Sequence, residues 1–431
     1  MIEDFAVLTP PLIALVRCGL SGSPEAAETL GEIAEPLWPG LLDLAAHHGL
    51  LPLLYAGSSA ANLTPPVSTA QELQLYAHLA EAHSVMAFRQ LEKLLVRCNA
   101  AGIKPIVMKG ALLAHHYYRT PGLRSFDDLD IVAPLDRRDQ LAKLLTDTGY
   151  VAEENFFGLD HAWWTEQHYH WFFKSSQGLP VELHWGLTKP GTVIQFDMEA
   201  LWARSQPVSY HEAQAREFAA EDSLLYLAVH SSKHCFRIPL RNHVDLAILL
   251  SKSETLDWEA VLQRSRALGA EMDLAVYLGM GAELGFIVLE REVSRWVRTT
   301  TAGNIDFPSL ARFALKWPFV IHSHTLIKVI GSSSRERRTQ LQSLIKDLAR
   351  KKAANSTQPP SHITPISDKP AVAADTRVIV FSGISFRLLL KHSLRLLMQI
   401  LSQMREWRHL RSEIIINRLF ENRELPDEDK R

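Results

Sequence analysis

The stretch KPIVMKGALLAHHYYRTPGLRSFDDLDIVAP, residues 104–134, decides how this chain is read. Ile103 to Met108 is a short apolar run between Gly102 and Gly110, the pattern of a buried strand. Gly110 opens a helical run to Tyr118, and Thr120-Pro121-Gly122 is a turn. Phe126 to Val132 alternates in character and reads as a second strand. A strand thus ends at Lys109-Gly110 and a helix begins at once. That geometry aims backbone N–H groups and the positive helix end at an anion above the turn. Gly110 would let a phosphate approach the backbone, and Lys109 would add a point charge. Asp128 and Asp130 stand two residues apart, so on a strand both carboxylates face the same way. Two carboxylates on one face suit Mg²⁺ ions that also bridge substrate phosphates. The plain alternative is a solvated strand end. Against it, Leu129 and Ile131 to Ala133 read as buried, and an acid beside a core needs a metal or a basic neighbour.

Working outward, Arg137 to Gly149 reads as a crossover helix. His168 to Lys174 and Leu179 to Leu187 are two more strands, paired across Ser175 to Gly178. The second carries Glu182 in PVELHW, residues 180–185, as a third acid, with His184 two residues on and sharing its face. Glu182 would take the proton from an attacking hydroxyl or hold a second metal. Mixed strands with intervening helices give an α/β or α+β sheet domain. Upstream, residues 1 to about 100 are helical by apolar spacing, with HHGLLPLLY (47–55) punctuated by Gly49 and Pro52 and a long amphipathic helix from Ala70 to Ala100. Asn99 to Gly102 stops that helix. Downstream the chain is helical again from Glu221 to about Ile330. Residues 355–374 are rich in Pro, Ser and Thr and read as a linker. Phe386 to Phe420 reads as a basic, strongly apolar helix.

Over 431 residues, 46 Lys and Arg stand against 48 Asp and Glu, a net charge of −2, which argues against whole-protein attraction to nucleic acid. The 47% hydrophobic content is globular, and the length suggests two or three units. Cys18, Cys98 and Cys235 form no CxxC pair. That excludes a disulfide scaffold and a Cys-rich zinc site, and fits a reducing cytoplasm. The N-terminus opens with acids and breaks its apolar run at Pro10-Pro11, unlike a secretory signal, and no stretch reaches the ~18 apolar residues of a membrane span. The expectation is a soluble, cytoplasmic protein.

The order strand, Gly turn, helix, Arg, Asp-x-Asp strand, later acidic strand resembles the DNA polymerase beta-like nucleotidyltransferase superfamily. More narrowly, the chain is similar to the bacterial uncharacterised nucleotidyltransferase family. The segments that carry the resemblance are HHGLLPLLY (47–55), KGALL (109–113), Arg124 with DLDIV (128–132), VELHW (181–185), LLYLAVHSSKH (224–234), Asp245 and DWEAVL (257–262). It covers roughly residues 40 to 290. The resemblance implies an α+β fold: a small mixed β-sheet catalytic domain (101–215) between an N-terminal helical region (1–100) and a helical substrate domain (216–330). A partly disordered linker (331–375) and the basic helix (376–420) follow.

By the same resemblance, Asp128, Asp130 and Glu182 are catalytic metal ligands, with two Mg²⁺ ions implied. Lys109, Gly110, Arg124, Lys233 and His234 would bind the NTP. An acceptor hydroxyl would attack the α-phosphate and pyrophosphate would leave; the acceptor implied is a small metabolite, a sugar or a peptide. Two departures stand out. Gly110-Ala111 replaces the usual Gly-Ser or Gly-Gly, and the third acid is Glu rather than Asp. A non-catalytic nucleotide-binding protein on the same fold, and a toxin-like enzyme modifying tRNA, are the alternatives.

Other features have plainer readings beside the functional one. His230 and His234 lie one helical turn apart, a zinc-like spacing, but HSSKH lacks the Glu of a metalloprotease helix. His115-His116 and Tyr117-Tyr118 read as packing residues. Trp163, Trp164, Tyr169 and Trp171 would make an aromatic wall for a base, or simply core. From Arg377 to Arg418 there are eight Lys and Arg against two Asp and Glu. Such a helix suits an anionic membrane surface, a partner or its own domain.

Overall fold

The decisive stretch folds around the middle of a seven-stranded mixed sheet, shown by a computed structural model that describes residues 5–28, 32–152, 165, 168–175, 178–234, 236, 238–252, 256–301 and 305–316. The linker, the basic C-terminal helix, Trp163, Trp164 and Cys235 lie outside the described residues. The chain divides into two units, 1–303 with 307–327 and 304–306 with 328–431. Every element below belongs to the first.

The strands are β1 (Ile106–Val107), β2 (Leu129–Val132), β3 (Val151–Ala152), β4 (His170–Lys174), β5 (Val181–His184), β6 (Gln206–Tyr210) and β7 (Ala213–Glu217). Their order is β3-β4-β5-β2-β1-β7-β6. β2 runs parallel to β5 and β1 parallel to β7; the other neighbours are antiparallel. With helices around this sheet, the fold is α+β. The β4–β5 pair is the one read from sequence. The β6–β7 hairpin is not: QPVSY and AQARE alternate only over short runs, and two of their four inward apolar residues are alanine, a faint strand signal. β2 is also shorter than read. Phe126 turns away into a ring cluster with Phe88 and His83, leaving Asp128 just before the strand.

Alternation along the strands divides the sheet into a packed back and a working front. Val107, Leu129, Ile131, Val181, Leu183, Trp171 and Phe173 face the back. They pack on Leu91, Leu94 and Leu95 of the long helix Val67–Ala100 and on Leu141 and Leu145 of the helix Arg138–Asp147. Asn99, at the end of the long helix, clamps β7: its amide accepts from Gln214 N at 2.7 Å and donates to Gln214 O at 2.8 Å. Asp130, Glu182 and His184 alternate with the back-facing residues and take the front, where the helix Ala220–Lys233 contributes Tyr226.

The N-terminal helix Phe5–Ser21 runs through Pro10 and Pro11 rather than stopping there. Two missing N–H groups near its start are outweighed by the burial of Leu12, Leu15, Val16 and Cys18. It crosses the helix Leu51–Ala60 backbone to backbone: a Cβ on Gly57 would lie 1.8 Å from Leu15 O, and one on Gly19 2.4 Å from Leu53 O.

A buried ion pair ties the sheet to the downstream helices. Arg124 Nε and Nη2 donate to the two oxygens of Asp245 at 2.7 Å each, and Tyr118 OH donates to Asp245 Oδ1 at 2.8 Å. Asp245 lies in the helix Leu240–Lys252 and is 1% exposed. On the same helix His243 is fully buried with neither ring nitrogen partnered among the described residues, and burial brings its pKa down to about 3. His48 is also fully buried; Nδ1 accepts from Leu240 N at 3.1 Å, so Nε2–H donates to Leu315 O at 3.2 Å. Burial brings its pKa down to about 4.

Three outcomes follow for stability, each measurable by urea unfolding. Gly57→Ala loses about 1–3 kcal/mol or more, because the neighbouring backbone cannot move aside. Arg124→Met loses about 3–5 kcal/mol by stranding Asp245 without its partner, whereas an Arg124→Met/Asp245→Leu pair recovers much of that loss. Acid destabilises the fold earlier than carboxylates alone would: the unfolded chain protonates His48 and His243 below pH 6.5, and the folded chain does not until about pH 4 and 3. Stability therefore falls as pH drops from 6.5 toward 4, by about 1.4 kcal/mol per pH unit for each histidine, and His243→Phe flattens that slope.

Candidate active site

The register of β2 on β5 builds the site. Asp130 pairs with Glu182 and Val132 with His184 across the parallel ladder, so three polar side chains emerge together on the front face. His184 Nε2–H is shared between Asp130 Oδ1 at 2.9 Å and Glu182 Oε2 at 3.3 Å. Lys109 Nζ sits 2.7 Å from the same Asp130 oxygen and 3.7 Å from Glu182. Asp130 and His184 are buried, while Lys109 and Glu182 keep about a fifth of their surface.

Lys109 reaches the acids from an unusual backbone position. It ends the β1 connection with φ +52°, a left-handed conformation that costs a non-glycine residue about 1 kcal/mol and is typical of strained functional turns. Gly110 has no room for a side chain: a Cβ there would lie 2.6 Å from the Phe126 Cβ. The helix it opens is one turn, Lys109–Leu112, continued by a π-helical turn, Leu113–Tyr117.

The charges govern the proton affinities. Burial alone would lower that of Lys109, but Asp130, then Tyr226, Glu182 and Asp128, hold it well above the ordinary value. Burial alone would raise Glu182, yet the His184 hydrogen bond and the Lys109 charge keep it below the usual carboxylate range. Asp128 is pushed up to about 7 by Asp130 first and burial second. Asp128 thus shares the field of the cluster, but the three ligand atoms within 4.8 Å of one another come from Asp130, Glu182 and His184. Two carboxylates and an imidazole on rigid strands fit a divalent cation.

The helix Ala220–Lys233 closes the front. The Tyr226 ring centroid lies 6.0 Å from Lys109 Nζ. Lys233 Nζ donates to Tyr169 OH and lies 4.6 Å from that ring's centroid; burial first, and Lys109 second, bring its pKa down to about 8. His234 caps the helix with its ring 4.8 Å from that of His230. Of the residues read from sequence, Lys109, Asp128, Asp130 and Glu182 meet in one cluster with Lys233 close by. Arg124 spends its fork on Asp245, and Gly110 packs on Phe126. Tyr169 belongs to the site, whereas Trp171, from the same aromatic run, packs in the core against Trp185. Tyr226 and Arg241 were not foreseen; Arg241 stands 3.8 Å from Asp127, with nothing in its local spacing to mark it. Among the described residues no helix is long and apolar enough to cross a membrane.

No curated protein matches the chain significantly. A crystal structure of an antigenic nucleotidyltransferase-like protein from Paracoccidioides brasiliensis aligns with 55% of this chain and 94% of that one, at 15% identity and a TM-score of 0.29. The model of the family described as "Uncharacterised nucleotidyltransferase" matches residues 34–284, which hold the whole sheet, the acid cluster and Lys233. By that match over more than half its length, the chain belongs to the uncharacterised nucleotidyltransferase family.

Proposed function

We propose that this protein is a metal-dependent nucleotidyltransferase that moves a nucleotidyl group from an NTP to a hydroxyl acceptor, a small metabolite, sugar or peptide. The single observation that carries the reading is the pairing of Asp130 with Glu182 on adjacent parallel strands, with Lys109 between their oxygens. Carboxylates forced together in this way bind divalent cations, and family membership supplies the reaction class.

Asp128, Asp130 and Glu182 would hold the metal, two Mg²⁺ ions by the family resemblance, with His184 at ligand distance. Bound there, the metal would neutralise charge on the attacking and leaving oxygens. Lys109 and Lys233 would take substrate phosphate oxygens; both are ammonium groups at the edge of the acid cluster. Tyr169 orients Lys233, and His184 fixes the Asp130 and Glu182 carboxylates. Gly110 and Arg124 support the turn, and His234 supports the end of the helix that carries Lys233. Catalysis here is positioning and electrostatics, since the transfer asks little covalent chemistry of the protein. The division into a sheet domain (101–215) and a helical domain (216–330), and a cytoplasmic location, belong to this same reading.

The test is turnover of each of the four α-labelled NTPs, with Mg²⁺ and with EDTA, beside an Asp128→Asn/Asp130→Asn variant. Pyrophosphate release should require metal and fall about 100-fold or more in the variant. Unchanged release by a folded variant would remove these carboxylates from the mechanism.

A further inference from the structure

The turn His47-His48-Gly49-Leu50 lies far from the acids in sequence, and nothing in the reaction above uses it. In the fold it meets the start of the helix Leu240–Lys252. His48 Nδ1 accepts from Leu240 N, which pins the residue just before Arg241. Gly49 has φ +69°, and a Cβ on it would lie 2.9 Å from Arg241 Cδ and 3.2 Å from Nη1. The turn is therefore a seat for one arginine: His48 holds its backbone, and the bare face of Gly49 receives its stem.

That arginine is poorly partnered. Arg241 makes no hydrogen bond among the described residues, and its Nε is buried without a partner. The nearest acid, Asp127, is 3.8 Å away and 82% exposed, so that pair is weak. The side chain keeps 28% of its surface, but its buried Nε meets no oxygen, which is costly, and its planar fork suits phosphate. It stands beside Asp127 in the loop before Asp128, and burial and the like charge of Arg124 lower its proton affinity more than Asp127, Asp245 and Asp128 raise it. Arg124, the guanidinium nearest in role, is spent on Asp245.

We infer that Arg241 binds the polyphosphate of the nucleotide, and that His48 and Gly49 act as positioning residues that hold it there. The inference rests on the nucleotidyltransferase reading of the same site and adds a phosphate contact from the helical region, seated by the N-terminal turn. Phosphate is favoured over an acceptor carboxylate because Arg241 stands 3.8 Å from Asp127, the residue next to Asp128, and phosphates bridged by a metal on Asp128 would come within its reach.

The test is calorimetric binding of ATP, GTP, CTP and UTP, and of the matching nucleosides, to full-length protein with Mg²⁺. The variants are Arg241→Gln, Arg241→Lys and Gly49→Ala, each checked by its urea midpoint. Arg241→Gln should lose about tenfold or more in affinity for the preferred NTP while nucleoside affinity stays level. Arg241→Lys should recover part of that loss, and Gly49→Ala, which displaces the arginine, should lose NTP affinity in the same selective way. Equal loss for NTP and nucleoside would assign Arg241 a structural role and overturn the inference. Unchanged NTP binding by Arg241→Gln would overturn it while leaving the nucleotidyltransferase reading standing. If the wild type binds no NTP, that reading fails and takes this one with it.

Discussion

Two carboxylates that repel each other are forced side by side by backbone hydrogen bonding, and the site is organised around that constraint. Asp130 and Glu182 have no freedom to separate, because the β2–β5 ladder fixes both Cα positions. Their repulsion is met by Lys109 and by His184, whose Nε2–H serves both acids. Lys109 reaches them from a left-handed backbone position. Gly110 then has to be bare, because the chain leaving Lys109 presses against Phe126. A local strain, a glycine and a buried histidine thus answer one electrostatic demand.

The surrounding architecture keeps that arrangement rigid. Back-facing residues of the central strands are sealed by the long helix and its neighbour, so the polar residues of the same strands are delivered to the front by alternation alone. The Arg124–Asp245 pair, with Tyr118, locks the loop before β2 onto the downstream helices. In the low dielectric of that interior its main worth is specificity of placement, since a buried ion pair adds little net stability over an apolar substitute.

Much of this was legible in residues 104–134 and 180–185. Asp130 on β2 with Asp128 just before it, the acid on β5 and the strand-to-helix turn carry their signal in local spacing. The roles of Gly110 and Arg124 were not legible. In sequence, a glycine after a strand looks the same whether it admits a phosphate or a phenylalanine ring. An arginine before the acids likewise looks free until Asp245, 121 residues away, is folded onto it. The β6–β7 hairpin escaped because its inward-facing set, Val208, Tyr210, Ala213 and Ala215, is short and half alanine, so its signal is faint beside the backbone pairing and the Asn99 amide that hold it. Tyr169 and Trp171 stand two apart and would share a face on a strand; they part because β4 begins at His170 and leaves Tyr169 outside it.

The strand order has a consequence for how the molecule comes into being. β1 has β2 as a near neighbour, but its other neighbour, β7, is paired through Ile106 and Arg216, at opposite ends of the domain sequence. His184 meets Asp130 across 54 residues, and Arg124 meets Asp245 across 121. Such distant pairings make folding slow, because loop closure must come before the contacts that reward it. On the ribosome Lys109 emerges with Asp130, 21 residues apart, whereas the β5 partners Glu182 and His184 follow later. The nascent chain therefore carries Asp130 beside Lys109 in water before the second carboxylate that will repel it exists, and Arg124 stays solvated longest, until the helix bearing Asp245 has been made.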